Sequence, residues 1–449
     1  MTDFSSWNVK RWLEHLESVH PAEIDMGLDR VRTVAERLGC LRPAGLVIMV
    51  AGTNGKGTTS ALISALLLRQ GLSVGCYNSP HILRYNERVS VNGSDISDAD
   101  LCQSFALVEQ AREEQPLTYF EFGTLAALAW FKQQHLDACV LEIGLGGRLD
   151  AVNVVDADVA VVTSIGLDHE AWLGNDLNVI AYEKCAIARP DRYLVCGQPN
   201  PPERARATVN ACEGMWLGRG EAFDVTERVQ GDAAVLNIRF LPYPDDDTSM
   251  EWVLPRGFIP AANIATALQA LAAVGHLLPE QEVADTLKRL RVPGRLQGWR
   301  CQCPDGRTFS VTLDVAHNEQ AAAYLATREL EVDGILLAML ADKPVEKVVQ
   351  ALPAARLWKL AGLDCHRGLD AAGLEQRFQA VAVDGVDGVD GVDRTVAVYP
   401  TVNAALKHLQ QTALADEHWL VVGSFYTVEQ ALTLIYAQQK SGEYAWKSI

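Results

Sequence analysis

The sequence predicts an α/β fold with two domains, and two observations support this prediction. Short apolar runs with strand character alternate with helical patterns along the whole chain, which favours mostly parallel sheets covered by helices. The alternation is interrupted where Pro293 and Gly294 break the periodicity before a new strand–helix series begins. We therefore expect a larger first domain with a mostly parallel sheet and a smaller, Rossmann-like α/β domain after it.

Five strands are predicted in the first half of the chain, with helices between them. The strands cover 46–51, 73–78, 138–144, 159–165 and 193–197. Helical patterns follow the first strand at 59–71 and precede the third strand at 123–134. A weaker stretch at 220–255 is predicted to be rich in strands, and 262–278 is predicted to be a buried helix.

The second series also contains five predicted strands, and they cover 309–315, 334–340, 356–362, 395–400 and 418–424. We place the boundary near 293–297, which gives domains of 1–295 and 296–449. The repeated DGVDGVDGVD tract at 384–393 lies between a predicted helix and a predicted strand. Its Asp-Gly turns and charge indicate a solvated loop insertion, because a calcium-binding repeat needs more turns.

The composition excludes several classes of function. Among the 449 residues, 39 basic and 57 acidic side chains give a net charge of 39 − 57 = −18, which argues against binding to nucleic acid or an anionic membrane surface. The N-terminus lacks a basic region followed by an apolar run, and we expect neither a secretory signal nor a membrane span. Ten scattered cysteines are typical of reduced thiols. We expect a cytoplasmic protein that acts as a monomer.

The segment after the first strand has the composition of a phosphate-binding loop. Glycines let backbone N–H groups approach phosphate oxygens, a lysine neutralises their charge, and the following helix adds its N-terminal dipole. The strict G-x-x-x-x-G-K-[ST] pattern is not met, because Val50 stands at the first glycine position. ATP binding is favoured over a plain glycine-rich turn, which makes the first domain a phosphate-loop ATPase domain. The predicted ATP-binding residues here are Gly52, Thr53, Asn54, Gly55, Lys56, Gly57 and Thr58.

Polar residues also follow several other predicted strands, where α/β proteins gather ligands. These are Ser79, Glu142 and His169, with Lys184 on the helix after the last of them. Mg²⁺ prefers oxygen ligands and keeps several waters, so a carboxylate, a hydroxyl and phosphate oxygens suit it. Each residue alone has an ordinary alternative. Glu142 could be an ion-pair partner, His169 a structural histidine, and Lys184 an exposed helix lysine.

The heptapeptide GTNGKGT at 52–58 resembles the phosphate loop of the folate branch of the Mur ligase superfamily, the dihydrofolate synthase/folylpolyglutamate synthase family. The resemblance implies ATP and two Mg²⁺ ions as cofactors. It implies that Ser79, Glu142 and His169 bind the first Mg²⁺. It also implies that Lys184 is a carbamylated lysine (N6-carboxylysine) that helps to place the second. Lys56, His169 and Lys184 are then the catalytic residues, and further ATP contacts come from Asn263, Arg295 and Asp314.

The same resemblance implies a binding site for dihydropteroate. The matching residues are Ile24, Asp25, Met26, Thr118, Tyr119, Phe120, Glu121, Leu149, Asp150 and Ala151. From the residues themselves, an aromatic pair beside a carboxylate could stack a flat heterocycle and accept its N–H groups. Packing of Phe120 and Phe122 in the core is the competing interpretation. His317 stands at a predicted strand end and receives no role.

The implied reaction adds L-glutamate to dihydropteroate and to reduced folates through an acyl-phosphate intermediate. A monofunctional folylpolyglutamate synthase is the main alternative, although the sequence IDMGLDRV at 24–31 argues against it. A cell-wall ligase needs a further N-terminal uridine-nucleotide domain, whereas only 51 residues precede Gly52. A catalytically inactive nucleotide-binding regulator is not favoured, because Lys56, Glu142, His169 and Lys184 are all present.

Overall fold

The computed structural model describes residues 4, 6–20, 25–230, 233–244, 246, 248–328, 330–365, 367–384, 394–442 and 444–449. The chain forms two compact units. The first comprises the residues up to His81 and Tyr85–Leu290, and the second comprises Ile82–Arg84 and Arg291–Ile449. Ile24 and 385–393, most of the repeated tract, lie outside the described residues.

The first unit is built on a large, mostly parallel sheet. Its strands run in the order β4-β3-β2-β5-β1-β6-β7-β8, and a separate antiparallel sheet has the order β11-β10-β9. All strands from β2 to β8 in that order pair in parallel, while β3 and β4 extend one edge in antiparallel fashion. The strands are β1 (Ala44–Ala51), β2 (Val74–Tyr77), β3 (Val89–Val91), β4 (Ser94–Asp95), β5 (Leu136–Glu142), β6 (Val159–Val162), β7 (Tyr193–Cys196), β8 (Met215–Gly218), β9 (Asp224–Gln230), β10 (Ala233–Phe240) and β11 (Met250–Pro255).

Helices cover this sheet, and the pattern of buried residues on a helix reflects how many sides of it are packed. The helix that follows β1 has buried residues all around its axis and packs on the sheet and on α9, as expected of a helix without a polar face. The helices are α1 (Val9–Val19), α2 (Asp29–Leu38), α3 (Lys56–Arg69), α4 (Asp98–Arg112), α5 (Tyr119–Gln134), α6 (Glu170–Leu173), α7 (Leu177–Cys185), α8 (Glu203–Ala211), α9 (Ala261–Ala273) and α10 (Glu280–Arg289). Short 3₁₀ helices cover Tyr85–Arg88 and Ala151–Val154.

The second unit is a smaller α/β layer structure. Its sheet has the order β16-β15-β14-β17-β13-β12-β18, parallel from β16 to β13 and antiparallel at β12 and β18. The strands are β12 (Gln297–Gln302), β13 (Thr308–Asp314), β14 (Gly334–Leu337), β15 (Leu357–Ala361), β16 (Thr395–Tyr399), β17 (His418–Val422) and β18 (Ala445–Ser448). The helices are α11 (Glu319–Ala326), α12 (Val345–Ala351), α13 (Ala371–Asp384), α14 (Val402–Thr412) and α15 (Phe425–Ser441).

Each strand predicted from the sequence is present, but most end earlier than predicted. The apolar run at 138–144, for example, leaves the sheet after Glu142, because its last residues turn into a loop at the carboxyl edge. The strand β12 and the edge strand β18 were not predicted, since their residues alternate and form no apolar run. Within the described residues, no helix has the length and apolar character needed to cross a membrane.

The core of the first unit depends on a cluster of aromatic side chains between α1, α4 and α5. Phe105 is fully buried, and its ring lies 5.8 Å from Trp12, 5.6 Å from Tyr85 and 5.9 Å from Phe122. We expect Phe105→Ala to lower the free energy of unfolding by about 3–5 kcal/mol, because it leaves a cavity in this cluster. Urea unfolding measures the change, and Val229→Ala, at a side chain 80% exposed, is the matched control. A loss equal to that of the control would contradict this packing.

Candidate active site

The order of the strands brings the predicted site residues to one edge of the first sheet. β2, β5, β1 and β6 are neighbours and run in parallel, so their carboxyl ends lie side by side. Ser79 follows β2, Glu142 ends β5, the phosphate loop follows β1, and His169 follows β6. Residues far apart in the sequence are thereby collected at one edge.

Two glycines of the phosphate loop stand where no other residue fits. Gly52 and Gly55 have φ angles of +148° and +85°, in the region that disfavours side chains. A Cβ on Gly52 would lie 1.9 Å from Thr163 Oγ1, and one on Gly55 would lie 2.5 Å from Asn263 Nδ2. Gly55 also precedes α3 without a side-chain cap, which leaves the first amides of this helix to serve an anion.

The loop is held in place by the segment that follows β6. Thr53 N donates to Ser164 O at 2.9 Å, and Asn54 N donates to Ser164 Oγ at 2.9 Å. Thr163 Oγ1 donates to Asn54 O at 2.6 Å, and Gly166 N donates to Thr53 Oγ1 at 2.9 Å. These four hydrogen bonds hold Thr53 and Asn54 against the segment that follows β6, and they fix the shape of the loop.

Polar side chains at the start of α3 complete the loop. Lys56 Nζ donates to Gly52 O at 3.0 Å and to Thr53 O at 3.3 Å, so its ammonium lies over the loop. Asn263 of α9 is buried and donates from Nδ2 to Thr58 Oγ1 at 2.7 Å. The structure thus joins Asn263 to the loop, as expected of two parts of one ATP site.

A cavity lies beside the loop and contains a second lysine. Its lining residues are Gly52, Thr53, Lys56, Ile143, Gly144, Leu145, Gly146, Asp168, His169, Leu173 and Lys184. Lys184 is only 3% exposed. Burial, followed by the positive charge of Lys56, lowers the pKa of the Lys184 amine to about 7. A neutral, nucleophilic amine is therefore available near neutral pH.

The loop at 144–147, which follows β5 and contains three glycines, lies close to the backbone of α7. We call it the glycine-rich loop. A Cβ on Gly147 would lie 2.6 Å from Glu183 O and 3.2 Å from Lys184 Cα. Arg148 N donates to Glu183 O at 2.8 Å, and Arg148 Nε donates to Glu183 Oε1 at 2.9 Å. This pair fixes the helical turn that carries Lys184. The sequence analysis did not predict it, because the two residues are 35 positions apart.

The predicted metal ligands fit a magnesium ion that also binds phosphate oxygens. Glu142 is 4% exposed, and its Oε2 accepts from Ser79 N at 3.2 Å. It also lies near the first turn of α3, since a Cβ on Gly57 would be 3.7 Å from Glu142 Oε2. Among the described residues, no group of three or more His, Cys, Asp or Glu side chains could hold a metal ion. One carboxylate, a hydroxyl and substrate phosphates are, however, a usual set for Mg²⁺.

His169 belongs to the same edge but not to the protein interior. It is exposed and precedes α6 with a φ of +52°, a left-handed conformation that is uncommon outside glycine. Its backbone N donates to Asp168 Oδ1 at 2.8 Å. His169 and Asp168 both line the cavity that contains Lys56 and Lys184.

Parts of all three predicted dihydropteroate segments meet around the same glycine-rich loop. A Cβ on Gly144 would lie 2.6 Å from the ring of Phe120, and one on Gly146 would lie 3.9 Å from Met26 Cε. Leu149, Asp150 and Ala151 continue this loop into a 3₁₀ helix. Phe120 is half-buried, whereas Phe122 is fully buried in the core.

The acidic residues of these segments have protein partners. Asp150 accepts from Leu145 N at 2.9 Å and from Val152 N at 2.9 Å, and burial raises its pKa to about 6. Glu121 is paired with Thr118 in a capping box that begins α5. Both oxygens of Glu121 also accept from Arg30, at 3.0 Å and 2.7 Å. The sequence analysis treated Glu121 as an acceptor for a heterocycle, although Thr-x-x-Glu is a recognisable capping signal.

The remaining predicted residues lie in the second unit and are close to one another there. Asp314 ends β13 and accepts from Leu296 N at 2.9 Å and from Ala316 N at 2.9 Å. Burial raises the pKa of Asp314, and Arg295 opposes this increase. The guanidinium of Arg295 lies 5.0 Å from the centre of the Phe425 ring. His317, two positions from Val315, bonds to the carbonyl of that residue at 2.8 Å through Nδ1.

Comparison with known proteins identifies the class of this enzyme. Residues 50–271 match the Mur ligase middle domain, so the chain is an ATP-dependent ligase of the Mur ligase class. It is also 38% identical over 448 residues to the dihydrofolate synthase/folylpolyglutamate synthase of Escherichia coli K12, covering 96% of each chain. The chain belongs to the dihydrofolate synthase/folylpolyglutamate synthase family, which confirms the family expected from the sequence.

Solved structures agree with this assignment. Escherichia coli FolC in complex with DHPP and ADP has a TM-score of 0.84 at 36% identity, over 98% of this chain and 100% of that one. A bifunctional folylpolyglutamate synthase/dihydrofolate synthase with Mn, AMPPNP and L-glutamate bound has a TM-score of 0.82 at 35% identity, over 97% and 100%. These similarities confirm the predicted α/β fold class.

The lowered pKa of Lys184 predicts how the stability of the protein depends on pH. The unfolded chain holds the proton of this amine up to its ordinary pKa of 10.5, whereas the folded chain releases it near 7. The unfolded state therefore binds more protons between these values, and stability rises with pH. In carbonate-free buffer, we expect the free energy of unfolding of the wild type to rise relative to that of Lys184→Met. The rise is at most about 1.4 kcal/mol per pH unit.

Urea unfolding from pH 7 to pH 10 measures this difference. Lys10→Met is the matched control, because the side chain of Lys10 is 86% exposed. Parallel curves for the wild type and Lys184→Met would contradict a lowered pKa at Lys184.

Proposed function

We propose that the protein adds L-glutamate to dihydropteroate, forming dihydrofolate, and to reduced folates, extending their glutamate chains. The bifunctional relatives support this function, since one structure holds DHPP and ADP and another holds Mn, AMPPNP and L-glutamate. The observation that carries the proposal is the cavity in which Lys56 of the phosphate loop and Lys184 of α7 meet the glycine-rich loop after β5. Met26 and Phe120 lie beside the same loop, since a Cβ on Gly146 would be 3.9 Å from Met26 Cε and one on Gly144 would be 2.6 Å from the Phe120 ring.

ATP supplies the phosphoryl group that converts the acceptor carboxylate into an acyl phosphate, from which the amine of L-glutamate displaces phosphate. Lys56 and the first amides of α3 bind and orient the triphosphate and neutralise its charge. Glu142, Ser79 and His169 hold the first Mg²⁺. This role is supported by the buried carboxylate of Glu142 beside α3. Asn263 supports the phosphate loop through Thr58.

Lys184 carries a carbamate in the active enzyme. Its neutral amine attacks the carbon of CO₂, an N–C bond forms as a C=O π bond opens, and the amine proton leaves to solvent. The product is an anion in the cavity that Lys56 also lines, and it can help to bind a second Mg²⁺. The pKa of about 7 supports this step, because the amine is substantially neutral at physiological pH.

The two parts of the chain have different tasks. The first unit forms the ATP-binding domain, which also binds dihydropteroate, and the second unit forms the glutamate-ligase domain, close to the predicted division into 1–295 and 296–449. The separation of two compact units after Leu290 supports this division. Three polar residues, Arg295, Asp314 and His317, lie together in the second unit. Arg295 and Asp314 contribute nucleotide contacts. The protein acts in the cytoplasm, which is consistent with ten described cysteines that are all free thiols.

Acceptor-dependent release of ADP tests the proposed function. With ATP, Mg²⁺ and L-glutamate, we expect dihydropteroate and a reduced folate each to stimulate ADP release. Lys56→Met lowers both activities at least about 100-fold, because it removes charge stabilisation at the phosphates. The matched control is Lys132→Met, which changes an exposed lysine at the end of α5.

Mass spectrometry of the products identifies the added glutamate. Stimulation by the reduced folate alone would show that the enzyme is a monofunctional folylpolyglutamate synthase. Absence of stimulation by either acceptor would refute the proposed function.

A further inference from the structure

Two of the segments that meet at the glycine-rich loop are joined by one arginine. Arg30 lies in the first turn of α2, and its side chain is 18% exposed. Its guanidinium donates to Glu121 through Nε at 3.0 Å and through Nη2 at 2.7 Å, a two-bond arrangement that fixes orientation. Glu121 is 5% exposed at its side chain and begins α5.

The other side of the same guanidinium holds Asp25. Arg30 Nη1 donates to Asp25 Oδ2 at 2.8 Å, and Nη2 also donates to the carbonyl of Asp25. The carboxylate of Asp25 in addition lies 3.3 Å from His20 Nε2. Asp25 is therefore tied to the body of the unit through both its side chain and its backbone. Its neighbour Met26 lies near Gly146, which lines the cavity, since a Cβ on Gly146 would be 3.9 Å from Met26 Cε.

These contacts give Glu121 a purpose other than binding a heterocycle. One of its oxygens accepts from Thr118 N at 2.8 Å as well as from Arg30, and the other accepts from Arg30. Burial by itself lowers the pKa of Arg30. The carboxylates of Glu121 and Asp25 together have a larger, opposite effect, so the pKa of Arg30 is raised overall. The three charges form one bridge from Asp25 through Arg30 to Glu121, which we call the Arg30 bridge.

We propose that Arg30 is a positioning residue for the acceptor: through the Arg30 bridge it holds Asp25 and Met26 in register with Thr118–Glu121, so that the two segments form one binding surface. In this role Arg30 acts through its protein partners Asp25 and Glu121. Its loss therefore weakens acceptor binding and leaves the phosphate loop unchanged. The proposal rests on the proposed function, since it assigns this surface to the pteroate part of the substrate.

Steady-state kinetics of Arg30→Lys test the bridge. Lysine keeps a positive charge beside Glu121 but cannot form the two-bond fork and reach Asp25 at once. We expect KM for dihydropteroate to rise about tenfold, with KM for ATP and kcat within about twofold. The matched control is Arg112→Lys, because Arg112 forms a similar fork with Glu109 at 2.7 Å and 2.6 Å with a side-chain exposure of 15%.

A double-mutant cycle with Asp25→Asn separates positioning from direct contact with the substrate. If Asp25 acts through Arg30, the double variant has nearly the same KM for dihydropteroate as the worse single variant. Additive effects would overturn the bridge. An unchanged KM for dihydropteroate in Arg30→Lys, or an equal rise of this KM in Arg112→Lys, would also overturn it.

Limited proteolysis tests the position of the segment without turnover. Thermolysin cleaves before Met26 and Leu28, and we expect cleavage there to be about tenfold faster in Arg30→Lys than in the wild type or Arg112→Lys. Equal cleavage rates would overturn the proposal. If the wild type shows no acceptor-dependent ADP release, the proposed function fails, and proteolysis still decides whether Arg30 holds Asp25 and Met26.

Discussion

The repulsion between two lysines constrains the whole site. Lys56 and Lys184 line one cavity, and burial together with this repulsion lowers the pKa of the Lys184 amine to about 7. The loop after β5 packs tightly against the second lysine, since a Cβ on Gly147 would lie 3.2 Å from Lys184 Cα. A carbamate on Lys184 would convert the repulsion into attraction, and it would place an anion where phosphates and Mg²⁺ must be organised.

The overall charge of −18 makes this local arrangement necessary. ATP, dihydropteroate and L-glutamate are all anionic, so the protein as a whole repels them. Attraction must come from groups within the site: Lys56, the amides at the start of α3, and bound Mg²⁺. The acidic surface and the cationic site are compatible because charge interactions are screened beyond about 10 Å at moderate salt.

Features that are continuous in the sequence could be predicted, whereas contacts between residues far apart in the sequence could not. The phosphate loop is continuous in sequence, and apolar runs indicate roughly where strands end, so the placement of Glu142 and His169 at the carboxyl edge of the sheet could be predicted. The Arg30 bridge could not, because Arg30 and Glu121 are 91 positions apart and their pairing depends on how α2 packs on α5. The strands β12 and β18 escaped prediction for a similar reason, since antiparallel pairing with neighbouring strands, rather than an apolar run, defines them.

Carbon-13 NMR tests the central claim, that Lys184 carries a carbamate. The purified enzyme is incubated with ¹³C-bicarbonate at about pH 8, above the pKa of about 7 that burial gives this amine. We expect one carbamate resonance in the wild type, its loss in Lys184→Arg, and its weakening as the pH falls below 7. A fully active wild-type enzyme without this resonance would contradict the account.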